Sequence, residues 1–169
     1  MNITYREITE DDLEQRVDWF NDKEVGQYLG DSVREGTTLE KQREWLKKYQ
    51  QDDERICYVI EVDDKPVGNV ALIEINKTDE NAGIFIMIGD KNYWGKGVAK
   101  DALKFITDYG FQKLGMHKIW LHVFSPNERA IRCYEKFGFI TEARHTEMVK
   151  LDGAFHDEIF MTITNPGLS

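Results

Sequence analysis

Between Ala82 and Ile88 the chain reads Ala-Gly-Ile-Phe-Ile-Met-Ile, without one polar side chain. The run is too short for a buried helix and too apolar to leave either face in water. It predicts a central strand covered on both faces. A chain holding such a strand needs further strands beside it and helices above and below.

The rest of the chain supplies them. Ile3 to Ile8 alternates apolar and polar residues and predicts a strand. Thr9 then stands where an N-cap belongs, ahead of Asp11 and Asp12, and Leu13, Val17 and Phe20 follow at helical spacing with Trp19 on a flank. Asn21 to Gly36 reads as loop or short turns. Thr38 to Gln50 predicts a second helix burying Leu39, Trp45, Leu46 and Tyr49. Ile56–Val62 and Pro66–Ile75 predict a hairpin about Asp63-Asp64-Lys65. After Ile88 come a glycine-bearing loop, a helix from Gly97 to Phe111, a strand from His117 to Phe124 and a helix from Pro126 to Phe137. Strands at Phe139–Val149 and Phe155–Ile163 flank the hairpin signal Leu151-Asp152-Gly153-Ala154. The order β-α-α-β-β-β-α-β-α-β-β predicts an α/β (α+β) chain with a mixed sheet, in a single domain over residues 1–169.

Charge narrows the partners. Lys plus Arg number 22 against 31 Asp plus Glu, a net −9. Nucleic acid is not expected, because phosphate-backbone binding runs on Lys and Arg. A cationic amine suits that balance. No run of about 18 apolar residues predicts a membrane span, and Met1–Glu7 lacks the basic-then-apolar order of a signal peptide. Cys57 and Cys133 form no disulfide framework. These features together predict a cytoplasmic protein. His117, His122, His145 and His156 lack metal-ligand spacing, so no metal is expected.

Two segments carry chemistry. Gly95-Lys96-Gly97 lies between the apolar strand and an amphipathic helix. Glycines there let backbone approach an anion closely, and the helix offers free N–H groups with the positive end of its dipole. The third glycine of a dinucleotide fingerprint is absent, Lys100 standing in its place, and no Walker triplet occurs. The second segment, Ser125 to Phe139, reads as a helix opened by Pro126 and closed by Gly138, with Asn127 and Tyr134 on one face. A tyrosine hydroxyl both donates and accepts, and can protonate a leaving thiolate. Cys133 has no His or Asp at a fixed offset to activate it, which argues against a covalent route.

Tyr93-Trp94-Gly95-Lys96-Gly97-Val98-Ala99 and the stretch from Asn127 to Phe139 together resemble the GNAT N-acetyltransferase superfamily. Its loop runs Gln/Arg-x-x-Gly-x-Gly/Ala and its later helix Asn-x-x-Ala-x-x-x-Tyr-x-x-x-Gly-Phe. Trp19 to Val25 with Tyr93 to Gly97 resembles the ribosomal-protein-alanine acetyltransferase (Rim-like) group, while Val70 to Asn76 is similar to a strand of bacterial spermidine acetyltransferases.

The resemblance implies a mixed, mostly antiparallel sheet of about seven strands with flanking helices, splayed between the fourth and fifth strands. It implies acetyl transfer from acetyl-CoA to a primary amine, a protein N-terminus or a small amine, by direct attack in a ternary complex. Backbone groups of Met87 and Ile88 would pair with the pantetheine arm. The amides of Trp94, Gly95, Lys96, Gly97, Val98 and Ala99 would cradle the pyrophosphate, Asn127 would bond the cofactor near its thioester, and Tyr134 would protonate the thiolate. Two positions depart from the pattern: Asn92 where Gln or Arg is usual, and Gly83 where the family often places a glutamate base early on the fourth strand. Glu74, in an otherwise apolar strand, is therefore chosen as proton acceptor and acceptor contact, ahead of Glu147, Asp157, Glu158 and a water chain. Tyr28, in a glycine-rich loop, is the other expected acceptor contact. Polyamine and aminosugar acceptors are alternatives within this reading, and a non-catalytic acyl-CoA-binding module is an alternative outside it. The last strands are placed to pair across a homodimer.

Overall fold

The computed structural model describes residues 1–30 and 34–168; the part of the Asn21–Gly36 stretch that falls on residues 31–33 lies outside the described residues. The strands are β1 (Ile3–Glu7), β2 (Ile56–Val62), β3 (Lys65–Asn76), β4 (Asn81–Ile88), β5 (Lys118–Phe124), β6 (Ile140–Leu151) and β7 (Ala154–Thr164). The helices that matter here are α1 (Leu13–Asn21), α2 (Lys23–Gly26), α3 (Leu39–Tyr49), α4 (Val98–Asp108) and α5 (Glu128–Phe137). The strands form one sheet in the order β1-β2-β3-β4-β5-β7-β6. The apolar run is the fourth of seven, as its composition requires. Every neighbouring pair is antiparallel except β4 with β5.

Helices cover both faces. On one, Val98, Ala102, Leu103 and Ile106 of α4 are buried against Val70, Leu72, Ile84 and Ile119. Burying each such side chain contributes about 1.5–3 kcal/mol. On the other face, Leu13 and Leu46 pack on Cys57, Val59 and Ala71, and Trp19 and Phe20 pack beside Met87 and Phe85. The buried stripe of α1 is Leu13, Arg16, Trp19 and Phe20. The apolar pattern centres it on Val17, and the helix instead turns an arginine inward.

Local chemistry sets the ends. The Asp22 carboxylate accepts from the Glu24 and Val25 amides and opens α2 inside a stretch that reads as loop. Asn127 caps α5 through its side-chain oxygen, and Gly138, at φ +121°, closes it. β3 breaks its ladder between Ile73 and Asn76, where Glu74 sits at φ +50°. That bulge swings Glu74 into solvent.

Candidate active site

β4 and β5 pair only at Asn81–Lys118, Ala82–Ile119 and Gly83–Trp120. Beyond Gly83 they part, and β5 continues against β7 as far as Phe124. The splay expected between the fourth and fifth strands is present. The wedge opens a cleft of about 260 Å³ lined by the end of β4, the glycine loop, the start of α4 and one face of α5.

The β4 backbone reaches it through Ile88. The Gly89 amide donates to Val67 O at 2.8 Å. Hydrogen-bonded pairs alternate along an antiparallel ladder, so Met87 directs its N–H and C=O to β3 and Ile88 directs its own into the wedge. The Ile88 carbonyl already accepts from the Trp94 indole at 2.7 Å. The expected pairing of Met87 and Ile88 with pantetheine is thus corrected to one free group, the Ile88 N–H; Met87 lines the cleft with its side chain. Trp94 clamps loop to strand, and Arg129 stacks on its ring at 3.7 Å. Trp19 fills the place a side chain at Gly89 would need, its ring 2.1 Å from where a Cβ would stand.

The cradle is shifted from its expected extent. The amides of Trp94 and Lys96 are taken by the turn, donating to Lys91 O and Tyr93 O. Among the described residues, those of Gly95, Gly97, Val98, Ala99 and Lys100 have no acceptor. Gly95 and Gly97 lie at φ +73° and +86° with open space where a Cβ would point. Backbone angle, rather than crowding, demands glycine there. Gly97 caps α4 with no side-chain bond, so the helix end stays open to an anion. The nearby cations are Lys100 and Arg129. Lys96 does not line the cleft; it stands outside, 5.7 Å over the Tyr93 ring. Lys100 was legible as the residue one helical turn past the loop, whereas Arg129 gave no signal before α5 was placed. Free amides, two positive-φ glycines and flanking cations fit the diphosphate of a CoA thioester.

Tyr134 lines the same cleft, partly buried and leaning on the Phe139 ring. Among the described residues its hydroxyl has no hydrogen-bond partner. Burial pushes its pKa well above the ordinary value, with Cys133 adding to the rise. The phenol therefore stays a proton donor across neutral and alkaline pH. Burial also raises the Cys133 thiol, against the pull of Lys100 and Arg129, which keeps it a neutral wall residue. Asn127 borders the cleft, but its oxygen accepts from the Ala130 amide at 3.3 Å. Only its NH₂ is left to meet a ligand.

The acceptor side is assembled differently from expectation. Gly83 lies beneath Trp120, whose ring is 2.7 Å from where a Cβ would stand, so no carboxylate fits there. Glu74 is exposed beside the Ile73–Gly83 pair, five residues down the ladder from Gly68–Ile88. That places it roughly 17 Å from the Ile88 end of the wedge, so its assignment as proton acceptor and substrate contact is withdrawn. Asp157 is held by Arg144 and the Glu147 amide, and Glu158 faces His122 and His145 at 3.1 and 3.2 Å. None of these lines the cleft. Its one carboxylate among the described residues is Glu24, paired to Lys91 at 2.6 Å, which sequence reasoning missed. Tyr28 stands where the cleft meets a larger cavity of about 1000 Å³, bounded by α1, α2 and the β6–β7 hairpin. Among the described residues no three His, Cys, Asp or Glu side chains are grouped to hold a metal ion, and no helix is long and apolar enough to cross a membrane.

A model of the Acetyltransferase (GNAT) domain matches residues 2–140. The chain is 36% identical to the spermidine N(1)-acetyltransferase of Escherichia coli K12 over 69% of its own length, a match spanning 62% of that protein. It is 30% identical to the spermidine N(1)-acetyltransferase of Vibrio cholerae over 92% of this chain and 88% of that one. The crystal structure of the V. cholerae spermidine N-acetyltransferase in complex with CoA and spermine superposes with a TM-score of 0.89 at 29% identity, covering 96% of this chain and 95% of that one.

Proposed function

The chain belongs to the GNAT acetyltransferase family, and from that premise we propose that it is an acetyl-CoA-dependent N-acetyltransferase acting on a primary amine. One observation carries the reading. The parted strands bring unpaired amides at a helix N-terminus and an unpaired, protonated tyrosine hydroxyl into one cleft.

The chemistry is direct transfer in a ternary complex. The amides of Gly95, Gly97, Val98, Ala99 and Lys100, with Lys100 and Arg129, hold the diphosphate. The Asn127 NH₂ and the Ile88 N–H meet the acyl arm, and the Ile88 N–H polarises the thioester carbonyl. A neutral amine attacks that carbonyl; its C–N bond forms as the C–S bond breaks, and Tyr134 gives its proton to the sulfur. The surplus amine proton leaves to solvent through the cavity beside Tyr28, and solvent returns a proton to the Tyr134 phenolate, so the acid is restored for the next turnover. Holding both reactants at near-attack distance contributes much of the acceleration.

Similarity to the spermidine N-acetyltransferases supports polyamines as the first acceptors to try, ahead of the protein N-termini that the Rim-like resemblance suggests. The exposed edge strand β6, with Ile140 62% and Met148 61% exposed, supports pairing with a second copy, and sedimentation velocity tests it. Free Cys57 and Cys133 suit a cytoplasmic location. The decisive experiment is thiol release from acetyl-CoA against polyamines, aminosugars and peptides with free N-termini. Amine-dependent CoA release is expected. CoA binding without release for any amine would make the chain a non-catalytic acyl-CoA-binding module.

A further inference from the structure

A second cavity, about 350 Å³, lies between α1, α3 and the β3–β4 face of the sheet. Arg16 projects into it and is only 5% exposed. Its guanidinium carbon stands over the Trp45 ring, 3.6 Å from the centroid, with the Phe20 centroid at 4.8 Å. Such a contact engages the charge and leaves the N–H edge unsatisfied. Nε and Nη1 are buried with no hydrogen-bond partner. Burial, partly offset by Cys57 and reinforced by repulsion from Arg55, pushes the group down to about 10, still charged at neutral pH. The Nε of Arg55 likewise has no hydrogen-bond partner, its ion pair with Asp52 being a long one of 3.9 Å, and Lys41 adds a third cation. Among the described residues no Asp or Glu lines this cavity, in a chain of net charge −9. A buried arginine whose donors meet nothing is costly unless something else satisfies them.

We propose that this cavity takes an oxyanion, a carboxylate or a phosphate, which Arg16 grips through its N–H edge as the second anchor of the amine acceptor. The proposal rests on the acetyl-transfer reading of the neighbouring cleft and names the acceptor class within it. Phe20 walls both this cavity and the large one reached past Tyr28. Phe85, on the cavity wall, precedes Met87 of the cleft by two residues on the same face of β4, about 7 Å along the strand. An acceptor with an amine and an oxyanion that far apart spans the two. Spermidine, cationic throughout, leaves Arg16 unmatched and adds repulsion.

The test has two arms, both with CoA present so that the glycine-loop amides are occupied. In the first, inorganic phosphate and acetate are titrated at constant ionic strength into the wild type, Arg16→Met and Lys41→Glu, and saturable shifts in melting temperature are recorded. Saturable binding of at least one anion is expected, lost in Arg16→Met and weakened about tenfold in Lys41→Glu. Lys41 is exposed, so its variant carries the test if Arg16→Met does not fold. Equal binding by wild type and folded variants, or none by the wild type, overturns the proposal. In the second, thiol release is compared within twin acceptors: 6-aminohexanoate against its amide, and glucosamine 6-phosphate against glucosamine. A preference of about ten- to a hundredfold for an anionic twin, abolished by Arg16→Met, is expected, and the preferred pair tells carboxylate from phosphate. No preference in either pair overturns the acceptor assignment. If no amine at all is acetylated, the acetyl-transfer reading fails while the anion titration stands on its own.

Discussion

Tyr134 and Gly97 are the positions where one side chain decides most. Tyr134 has no internal hydrogen bond to hold its proton, and burial raises its pKa, so the hydroxyl stays protonated at neutral pH and stands ready to protonate the sulfur as the C–S bond breaks. Tyr134→Phe removes the donor and keeps the ring against Phe139. We expect kcat to fall about a hundredfold or more, with CoA affinity unchanged by calorimetry; undiminished kcat would remove the general-acid role. A raised phenol also shapes the pH profile. The active form is the protonated one, so the rate should climb as the amine loses its proton and show no descending limb below about pH 10. Gly97 works through backbone. Its left-handed φ of +86° leaves the cradle concave, and Gly97→Asp adds both strain and a negative charge at the helix N-terminus. CoA binding measured by calorimetry should be abolished, and retained affinity would refute the diphosphate cradle.

At the scale of elements, the entry to α1 rests on an ion pair. The Asp12 carboxylate accepts from Arg6 Nη1 and Nη2 at 2.8 and 2.6 Å and from the Thr9 amide and hydroxyl, tying β1 to the first turn. Burial works to raise its pKa, and the Arg6 guanidinium and the Thr9 groups outweigh it, so the folded value lies below the ordinary 3.8. A depressed carboxyl stabilises the fold above its unfolded pKa and loses that contribution as pH falls through the folded value. Asp12→Asn should therefore cost about 2–3 kcal/mol by urea denaturation at pH 7, with Arg6 itself 38% exposed and partly screened. Wild type and variant should converge once the pH falls below the depressed folded-state pKa of Asp12; a gap that persists there would point to packing instead. Elements were also where the sequence spoke most plainly. Ala82–Ile88, the β2–β3 hairpin and the two marked helices are visible because period and end signals are local. Glu74 was misread because a bulge at positive φ leaves no mark in an alternating pattern. Arg16 was missed because apolar residues at 13, 17 and 20 hid the true phase of α1.

Across the whole molecule, what stays illegible is whatever depends on elements meeting. Trp94 bonding Ile88, Trp120 filling the space over Gly83 and Lys91 pairing with Glu24 each join residues whose partnership no local spacing announces. The same long-range assembly makes a testable demand on stability. The cleft is built from β4, the glycine loop, α4, α5 and the α2 segment, so a ligand that fills it can bind only the folded chain. Free ligand at about 100 times its Kd then stabilises the native state by roughly 2.7 kcal/mol. For a chain of 169 residues that corresponds to a rise of about 5–10 °C in Tm. CoA should produce that rise in the wild type and in Tyr134→Phe, and none in Gly97→Asp. Amide hydrogen exchange should place the added protection at Gly95, Gly97, Val98, Ala99 and Lys100, whose amides have no partner among the described residues, and little at Lys96 and Asp101, which already donate to Tyr93 O and Gly97 O at 3.4 and 3.1 Å. Protection spread evenly over the sheet would mean that the ligand acts by general tightening and that the free amides do not grip it.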